Sequence, residues 1–522
     1  MGNMRALWAE RFTVWAFLLG VLLVAGDGAA QVAWSTYLGG SDHDWGYGIA
    51  VDASGNAYAT GYTYSSGWVS GGWDTSRENT DVYVVKLDTA GAHLWSTYLG
   101  GTGIDYGYGI AVDASGNAYA TGNTYSPGWV SGGWDTSFGG GNDGYVVKLN
   151  TAGAHLWSTY LGGTIYDEGY GIAVDSDGNV YATGYTNSSD WVSGGWNTTH
   201  NGAYDYDGYV VKLDTTGAHL WSTYLGEMGA DEGYGIAVDA NGNVYATGYT
   251  DSSGWVSGGW DLTRNGDDYS SDGYVVKLST TGAHLWSTYL GATYEPDESC
   301  GIAVDASGNI YVTGNTNFSG WVSGGWNTSY NGGYCDGYVV KLDTAGAHLW
   351  STYLGGTDED YGYGIAVDSS GNVYATGATW SDGWVNGGWN TSYNSGDSDG
   401  YVIKLNTAGA HLWSTYLGGT YGDRGYGIAV DLSGNAYATG WTQSSGWVSG
   451  GWNTSDNGGY CDGYVVKIAQ SGGGEDNIPG CIGGTLSSPR SGLGMPAGDF
   501  ALMASAAAIV LWLGRRRRTA HA

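Results

Sequence analysis

From residue 31 to residue 468 the chain is a succession of strand-length apolar runs separated by short glycine-rich turns. After Trp95 four such runs follow one another. The first, Tyr108–Asp113, is apolar almost throughout, which predicts a strand buried on both faces. The second, Asn117–Gly122, alternates Ala118, Ala120 and Gly122 with larger residues, so one face is small enough for a neighbouring sheet to approach. The third is Tyr145–Leu149 and the fourth His155–Leu161. Ala114-Ser115-Gly116 and Thr151-Ala152-Gly153 read as tight hairpin turns within this unit.

The unit repeats. Trp-Ser-Thr-Tyr-Leu-Gly begins at Trp34, Trp95, Trp157, Trp221, Trp286, Trp350 and Trp413, at spacings of 61 to 65 residues. Seven copies of four antiparallel strands predict an all-β, seven-bladed β-propeller. The array opens on a fourth-strand run, Val32–Leu38, and closes on a third-strand run, Tyr464–Ile468. The N-terminal strand is therefore expected to complete the last blade and close the ring. An open solenoid would need capping repeats, and none is visible.

These residues carry a family likeness. Tyr-Leu-Gly-Gly, then Ile-Ala-Val-Asp-x-x-Gly-Asn-x-Tyr-x-Thr-Gly, then Asp-Gly-Tyr-Val-Val-Lys-Leu, resembles the SBBP β-propeller repeat of bacterial secreted proteins, seven times over roughly residues 34–468. It departs where that family often has a Phe-Pro element, since here Trp-Val-Ser-Gly-Gly-Trp follows the second strand. The resemblance implies an extracytoplasmic propeller and no particular reaction.

Composition narrows the partners. Residues 34–468 hold 45 acidic and 10 basic residues, within a formal charge of −33 for the chain. Such a surface repels phosphate backbones and argues against nucleic-acid binding. Aromatics at 15% argue for a folded chain.

The two ends read as addresses. Residues 1–30 resemble a secretory signal, with Arg5 and Arg11 before the apolar run Phe12–Ala25 and small residues at Gly28-Ala29-Ala30. The mature chain is expected to start at Gln31, with the propeller over 31–470 and a Gly/Ser/Pro-rich linker over 471–498. The last part, 499–522, holds an apolar segment, Phe500–Gly514, and the cluster Arg515–Arg518. Pro479–Gly484, the apolar segment and the arginines together resemble a bacterial CTERM-type sorting tail. That likeness implies transient membrane attachment, a sorting protease and retention at the cell surface; a plain membrane anchor is the other reading.

Strand order assigns the loops to faces. The short, nearly identical first-to-second and third-to-fourth turns share one face. The longer second-to-third and fourth-to-first connections share the other, where binding is expected. The long loop carries a tryptophan pair in every copy: Trp68/Trp73, Trp129/Trp134, Trp191/Trp196, Trp255/Trp260, Trp321/Trp326, Trp384/Trp389 and Trp447/Trp452. These are candidate ligand-binding platforms for sugars. The alternative is packing of each loop on its own blade, with one tryptophan anchored and the other exposed.

Two aspartate series flank these loops. Asp44, Asp105, Asp167, Asp231, Asp297, Asp360 and Asp423 precede the first strand; Asp81, Asp143, Asp207, Asp272, Asp336, Asp399 and Asp462 precede the third. Oxygen-rich clusters of this kind hold Ca²⁺ in other proteins, so these are candidate ligands, with Asp205, Asp267, Asp268 and Asp397 nearby. The competing role is bonding of the loops' own backbone. No cofactor is required on this reading. On the short-turn face Asp52 and its six counterparts read as hairpin residues, the lysines of Val-Val-Lys as partners of nearby acids, and six repeated histidines, His93 to His411, as outer-strand surface.

Cys300 and Cys335 fall at one end of the fifth blade and form a candidate disulfide. Cys461 has Cys481 in the tail as its candidate partner, unless Cys481 belongs to the sorting signal. His43, Arg77, Glu78, His200, Arg264 and Arg424 are the single-copy polar candidates and lie on different blades. With no nucleophile elbow, phosphate loop or His-Glu-x-x-His, the sequence favours a secreted, cell-surface, non-enzymatic binding module for a glycan or protein ligand. A structural scaffold is the main alternative and a propeller hydrolase a remote one.

Overall fold

The computed structural model describes residues 30–201, 205–264, 270–292, 296–394 and 397–470. The signal-like segment up to residue 29, the linker, the C-terminal tail, Asp267, Asp268 and Cys481 lie outside the described residues. Among the described residues no helix is long and apolar enough to cross a membrane.

Among the described residues twenty-eight strands form seven four-stranded antiparallel sheets. In the first blade these are β2 (Asp44–Val51), β3 (Ala57–Thr63), β4 (Asp81–Leu87) and β5 (His93–Leu99). The last blade joins the ends of the array. There β1 (Gln31–Leu38) pairs with β28 (Asp462–Ala469), followed by β27 (Ala436–Thr442) and β26 (Asp423–Val430), and Trp34 stands opposite Lys467. The fold is thus the seven-bladed propeller that the repeats predict, closed by its N-terminal strand.

The first strands form the inner ring. β2, β6 (Asp105–Val112), β10 (Asp167–Val174), β14 (Asp231–Val238), β18 (Asp297–Val304), β22 (Asp360–Val367) and β26 lie each against the next. Burial on both faces is not what they show. Their residues alternate between buried and half-buried, because one side of the innermost strand faces the central channel. The second and third strands are the most buried of each blade, completely so in the second blade and broken in others by half-buried residues such as Tyr62. The strands also begin earlier than their apolar runs, at Asp105 and Asp143 in the second blade. Both aspartate series therefore lie inside the sheets, at the first strand position.

The core lies between blades. Tyr58, Val82, Val84, Trp95 and Leu99 of the first blade pack on Ile110, Ala118, Ala120, Tyr145, Val147 and Leu149 of the second. The small alanines of β7 (Ala118–Thr124) allow this close approach. The fourth-strand tryptophan fastens one blade to the next: Trp95 Nε1 donates to the Thr151 carbonyl at 2.9 Å. The turn glycine beneath it has φ of 75°, and a Cβ on Gly153 would come within 2.7 Å of the indole. Only glycine meets both conditions. Within the first blade Lys86 lies 3.9 Å from Asp52 and 4.7 Å above the Tyr58 ring, and it reaches the Thr151 carbonyl of the second blade at 3.5 Å.

Candidate functional site

The long loop does not stay on the loop face. It turns down the outside of its own blade, where Gly71 bridges to Ser96 in parallel. Ser96 N donates to Ser70 O at 2.7 Å and Tyr98 N to Asp74 O at 2.8 Å. The open edge of the outermost strand is thereby covered, which protects it from pairing with other chains.

This path separates the two tryptophans of each pair. The first is buried or half-buried and is held by its own blade. Its Nε1 donates to the threonine that ends the second strand, as Trp384 does to Thr379 at 3.1 Å, and its ring meets a third-strand tyrosine edge-on, 5.1 Å from Tyr401. The same contacts hold Trp68, Trp129, Trp191, Trp255, Trp321 and Trp447. The second tryptophan reaches the outer rim and is 37–42% exposed in all seven copies. Six of these lie over the outer-strand histidine of the next blade. Trp73 stacks on His155 at 4.3 Å, and Trp134, Trp196, Trp260, Trp326 and Trp452 meet His219, His284, His348, His411 and His93 in the same way. Burial holds these imidazoles below their usual pKa, and each also bonds a serine hydroxyl, His93 to Ser96 at 2.9 Å. The seventh outer strand, β1, has Val32 at the histidine position. At Trp452 and His93 a shallow depression of about 400 Å³ opens, lined also by Ala90, Ala92, Gly450 and Gly451.

The aspartates of the first-strand series are buried and engaged. Asp44 accepts from the Thr63 hydroxyl, from Ser65 Oγ at 2.9 Å and from Gly40 N at 2.9 Å. Burial nevertheless pushes its pKa up to about 7. Asp105, Asp167, Asp231, Asp360 and Asp423 are held alike; Asp297 accepts from Ala292 N at 2.8 Å. The third-strand aspartates accept loop amides, Asp143 from Gly139 N at 2.7 Å and Asp462 from Asn457 N at 3.1 Å. Each lies near the first-strand aspartate of the next blade, as Asp336 does to Asp360 and Asp462 to Asp44. Among the described residues no group of three or more His, Cys, Asp or Glu is placed to hold a metal. The two series meet as pairs between blades; loop amides and hydroxyls take part of their oxygens, while a buried Oδ1 of Asp143, Asp207, Asp336, Asp399 and Asp462 has no hydrogen-bond partner.

The inner ring is the less regular region. The fourth position of each first strand carries Tyr47, Tyr108, Tyr170, Tyr234, Cys300, Tyr363 and Tyr426. Ring centroids run around the channel at 5.4 Å (Tyr47–Tyr108), 5.2 Å (Tyr108–Tyr170), 5.4 Å (Tyr170–Tyr234), 5.0 Å (Tyr363–Tyr426) and 4.7 Å (Tyr426–Tyr47). Cys300 occupies the break between Tyr234 and Tyr363. Two residues earlier, towards the long-loop face, the same strands carry Trp45, Tyr106, Glu168, Glu232, Glu298, Tyr361 and Arg424. Three adjacent blades thus place glutamates at the channel mouth, while Arg424 lies between the rings of Trp380 and Trp441 at 5.3 and 5.4 Å. Glu168 accepts from Asn142 Nδ2 at 3.1 Å and Tyr170 Oη at 2.9 Å, and Glu232 from Tyr249 Oη at 2.9 Å. Burial raises the pKa of Glu232 to about 7 and also raises that of Glu298.

A repeat-family model matches seven spans: residues 33–67, 94–128, 156–190, 220–254, 285–320, 349–383 and 412–446. The chain carries seven SBBP β-propeller repeats. Each SBBP span ends one residue before the first tryptophan of a pair, so the Trp loop and the third strand fall outside the matched spans. The match is narrower than a likeness continuous over 34–468. Curated relatives include an uncharacterized WD repeat-containing protein of Acanthamoeba polyphaga mimivirus, 22% identical over 77% of this chain and 35% of its own. Another is the regulatory protein FlaEY of Caulobacter vibrioides, 26% identical over 66% of this chain and 37% of its own. The chain spans about a third of the length of these relatives. Among solved structures, a quinohemoprotein alcohol dehydrogenase from Comamonas testosteroni is 12% identical with a TM-score of 0.39, over 88% of this chain and 78% of that one. The endosialidase of phage phi92 is 10% identical with the same TM-score, over 89% and 72%.

The Cys300–Cys335 disulfide does not form in the SBBP ring. Both thiols are free, as is that of Cys461. Cys300 takes a channel position, with Sγ 3.9 Å from Asn315 Oδ1, whereas Cys335 precedes its third strand and lies 3.6 Å from the Asp360 carbonyl in the next blade. The inner and third strands have a further strand between them, and the loops do not bend to close that gap. Burial pushes the Cys335 thiol up to about 12. Of the single-copy polar residues, Arg424 reaches the channel mouth. The three glutamates there are not single-copy residues and carry no motif, so residue uniqueness does not reveal them. Comparing one strand position across the seven copies finds them.

Proposed function

We propose that this SBBP propeller is a non-enzymatic, extracytoplasmic binding module whose outer rim engages polysaccharide. The observation that carries the reading is the rim tryptophan, more than a third exposed in every copy and stacked in six of them on a histidine of the next blade. An indole held rigid by such a stack offers a flat apolar edge for a sugar face, and the histidine and serine beside it supply polar partners. Seven weak sites on one ring favour a repeating ligand through avidity. Calcium plays no part in this account, because the rim stacks use an indole, an imidazole and a hydroxyl and no carboxylate. The signal-like and sorting-like ends accord with display at the cell surface after protease processing.

The test is a glycan array probed with the full chain, with calcium and again with chelator. Binding should survive chelation, drop several-fold in Trp452→Ala, and vanish when all seven rim tryptophans are alanine while the circular dichroism is unchanged. No glycan binding, or binding indifferent to these changes, moves the assignment to a scaffold. The same stacks also join adjacent blades, which is what a scaffold would use them for.

A further inference from the structure

The channel mouth differs from everything else in the ring because it is not repeated. Glu168, Glu232 and Glu298 take a position that is aromatic in Trp45, Tyr106 and Tyr361. They come from three successive blades and stand over the tyrosine ring. Glu232 is only 8% exposed. Among the described residues the ion pairs all lie elsewhere, and none reaches these carboxylates. Their bonds come from neutral tyrosine hydroxyls and a side-chain amide, which orient a carboxylate without cancelling its charge. Like charges gathered at a partly buried site are costly unless something cationic joins them.

A second observation points the same way. Asn142 is 1% exposed and places its amide nitrogen on Glu168, yet its Oδ1 has no hydrogen-bond partner. Asn123 is 2% exposed and its Oδ1 is likewise unpartnered. It stands opposite Tyr106 in the register that Tyr185 and Tyr249 hold opposite Glu168 and Glu232. Buried acceptors left unpaired are uncommon and call for a donor. The glutamate side of the mouth therefore offers carboxylates, the spare amide oxygen of Asn142 and an aromatic floor, with Asn123 on the neighbouring aromatic side. Every part of it accepts hydrogen bonds or attracts positive charge.

We propose that the channel mouth is a second, separate binding site, for a small organic ligand bearing a primary ammonium group. The ammonium would sit among Glu168, Glu232 and Glu298 and lie over the tyrosine ring, its three N–H groups shared between those carboxylates and Asn142 Oδ1. Arg424, held in its tryptophan sandwich elsewhere on the mouth, repels a second cation and orients the ligand. A bare metal ion is less well served, since no group of three metal-ligating side chains converges among the described residues.

The test is isothermal titration of the full chain with phenethylamine and with 2-phenylethanol, its neutral isostere. Phenethylamine should bind at least tenfold more tightly than the alcohol. Glu232→Gln and Glu168→Gln, which keep size and hydrogen bonding, should each weaken it at least fivefold without moving the melting temperature by more than a degree or two. Leu432→Ala, on the exposed short-turn face, should leave binding unchanged. If a glutamine variant loses stability, Glu298→Gln takes its place. Equal affinity for amine and alcohol, no binding of the amine, or indifference to the glutamine changes overturns the proposal. So does Ca²⁺ that displaces the amine and loses its own binding in the same variants, which would make the mouth a metal site. The glycan array reads the rim alone, so failure at either site leaves the other assignment standing.

Discussion

Asp44 and Asp52 stand at opposite ends of one strand, β2, and meet opposite fates. Asp52 closes the short hairpin. Its carboxylate accepts from Ser54 N at 2.9 Å, Asn56 N at 2.9 Å, Asn56 Nδ2 at 2.8 Å and Tyr58 Oη at 3.2 Å. Burial is the largest single effect and raises its pKa, but these bonds together outweigh it and the pKa falls below the usual carboxylate range. Asp44, at the long-loop end, accepts three bonds but lies wholly inside the blade interface, and its pKa rises. Hydrogen bonding favours the charged form at both ends, and the depth of burial decides which effect wins. The short-turn face is thus built to keep its charges, the long-loop face to resist them.

The largest test of this contrast is the pH dependence of stability. Asp44, Asp336, Asp360, Asp399 and Asp423 have pKa values near 7, and Asp462 about 8, against about 4 for unfolded aspartate. Native protons are bound more tightly, so this stabilisation is complete below about pH 4 and is lost as pH rises through 7 to 8. Asp52, Asp113, Asp175, Asp239 and Asp305 have lowered values, and their stabilisation is lost as pH falls through the folded pKa. Urea midpoints of the full chain should therefore peak near pH 4–5 and decline towards pH 8.5. A steady rise from pH 4 to 8 would mean that the long-loop face is ionised and otherwise compensated.

Single substitutions sharpen the same contrast. Trp384→Ala empties an anchored position and should cost about 3 kcal/mol in chemical denaturation. Trp389→Ala removes a more exposed ring with no histidine beneath it and should cost less than about 1 kcal/mol. Equal losses would show that the rim tryptophans are structural. Smallest is the effect of exchanging charge for amide at each end of β2. Asp44→Asn should raise the urea midpoint at pH 8 by a few tenths molar and flatten its pH slope. Asp52→Asn should lower it slightly, because the Lys86 contact is weakened.

Much of this was legible in the chain. The Trp-Ser-Thr-Tyr-Leu period gave the blade count, the orphan strands at the two ends gave the closure, and Asp-x-x-Gly-Asn marked the hairpins. Each of these is a local pattern. The path of the Trp loop was not legible, because it is set by a parallel bridge between Gly71 and Ser96, 25 positions apart in the chain. The His–Trp stacks were hidden for the same reason: Trp73 and His155 belong to different blades. The disulfide expectation failed because strand order says which residues share an end of a sheet but not which way their side chains point.

The sequence by itself therefore determined the unit, its number and its order, since hydrophobic alternation and turn chemistry act over a few residues. Only the tertiary structure decided which aspartates are buried, which tryptophan of each pair meets solvent, and that three glutamates from successive repeats stand together at one channel mouth. Those outcomes depend on the angle and spacing at which one blade packs on the next, and that geometry belongs to the closed ring.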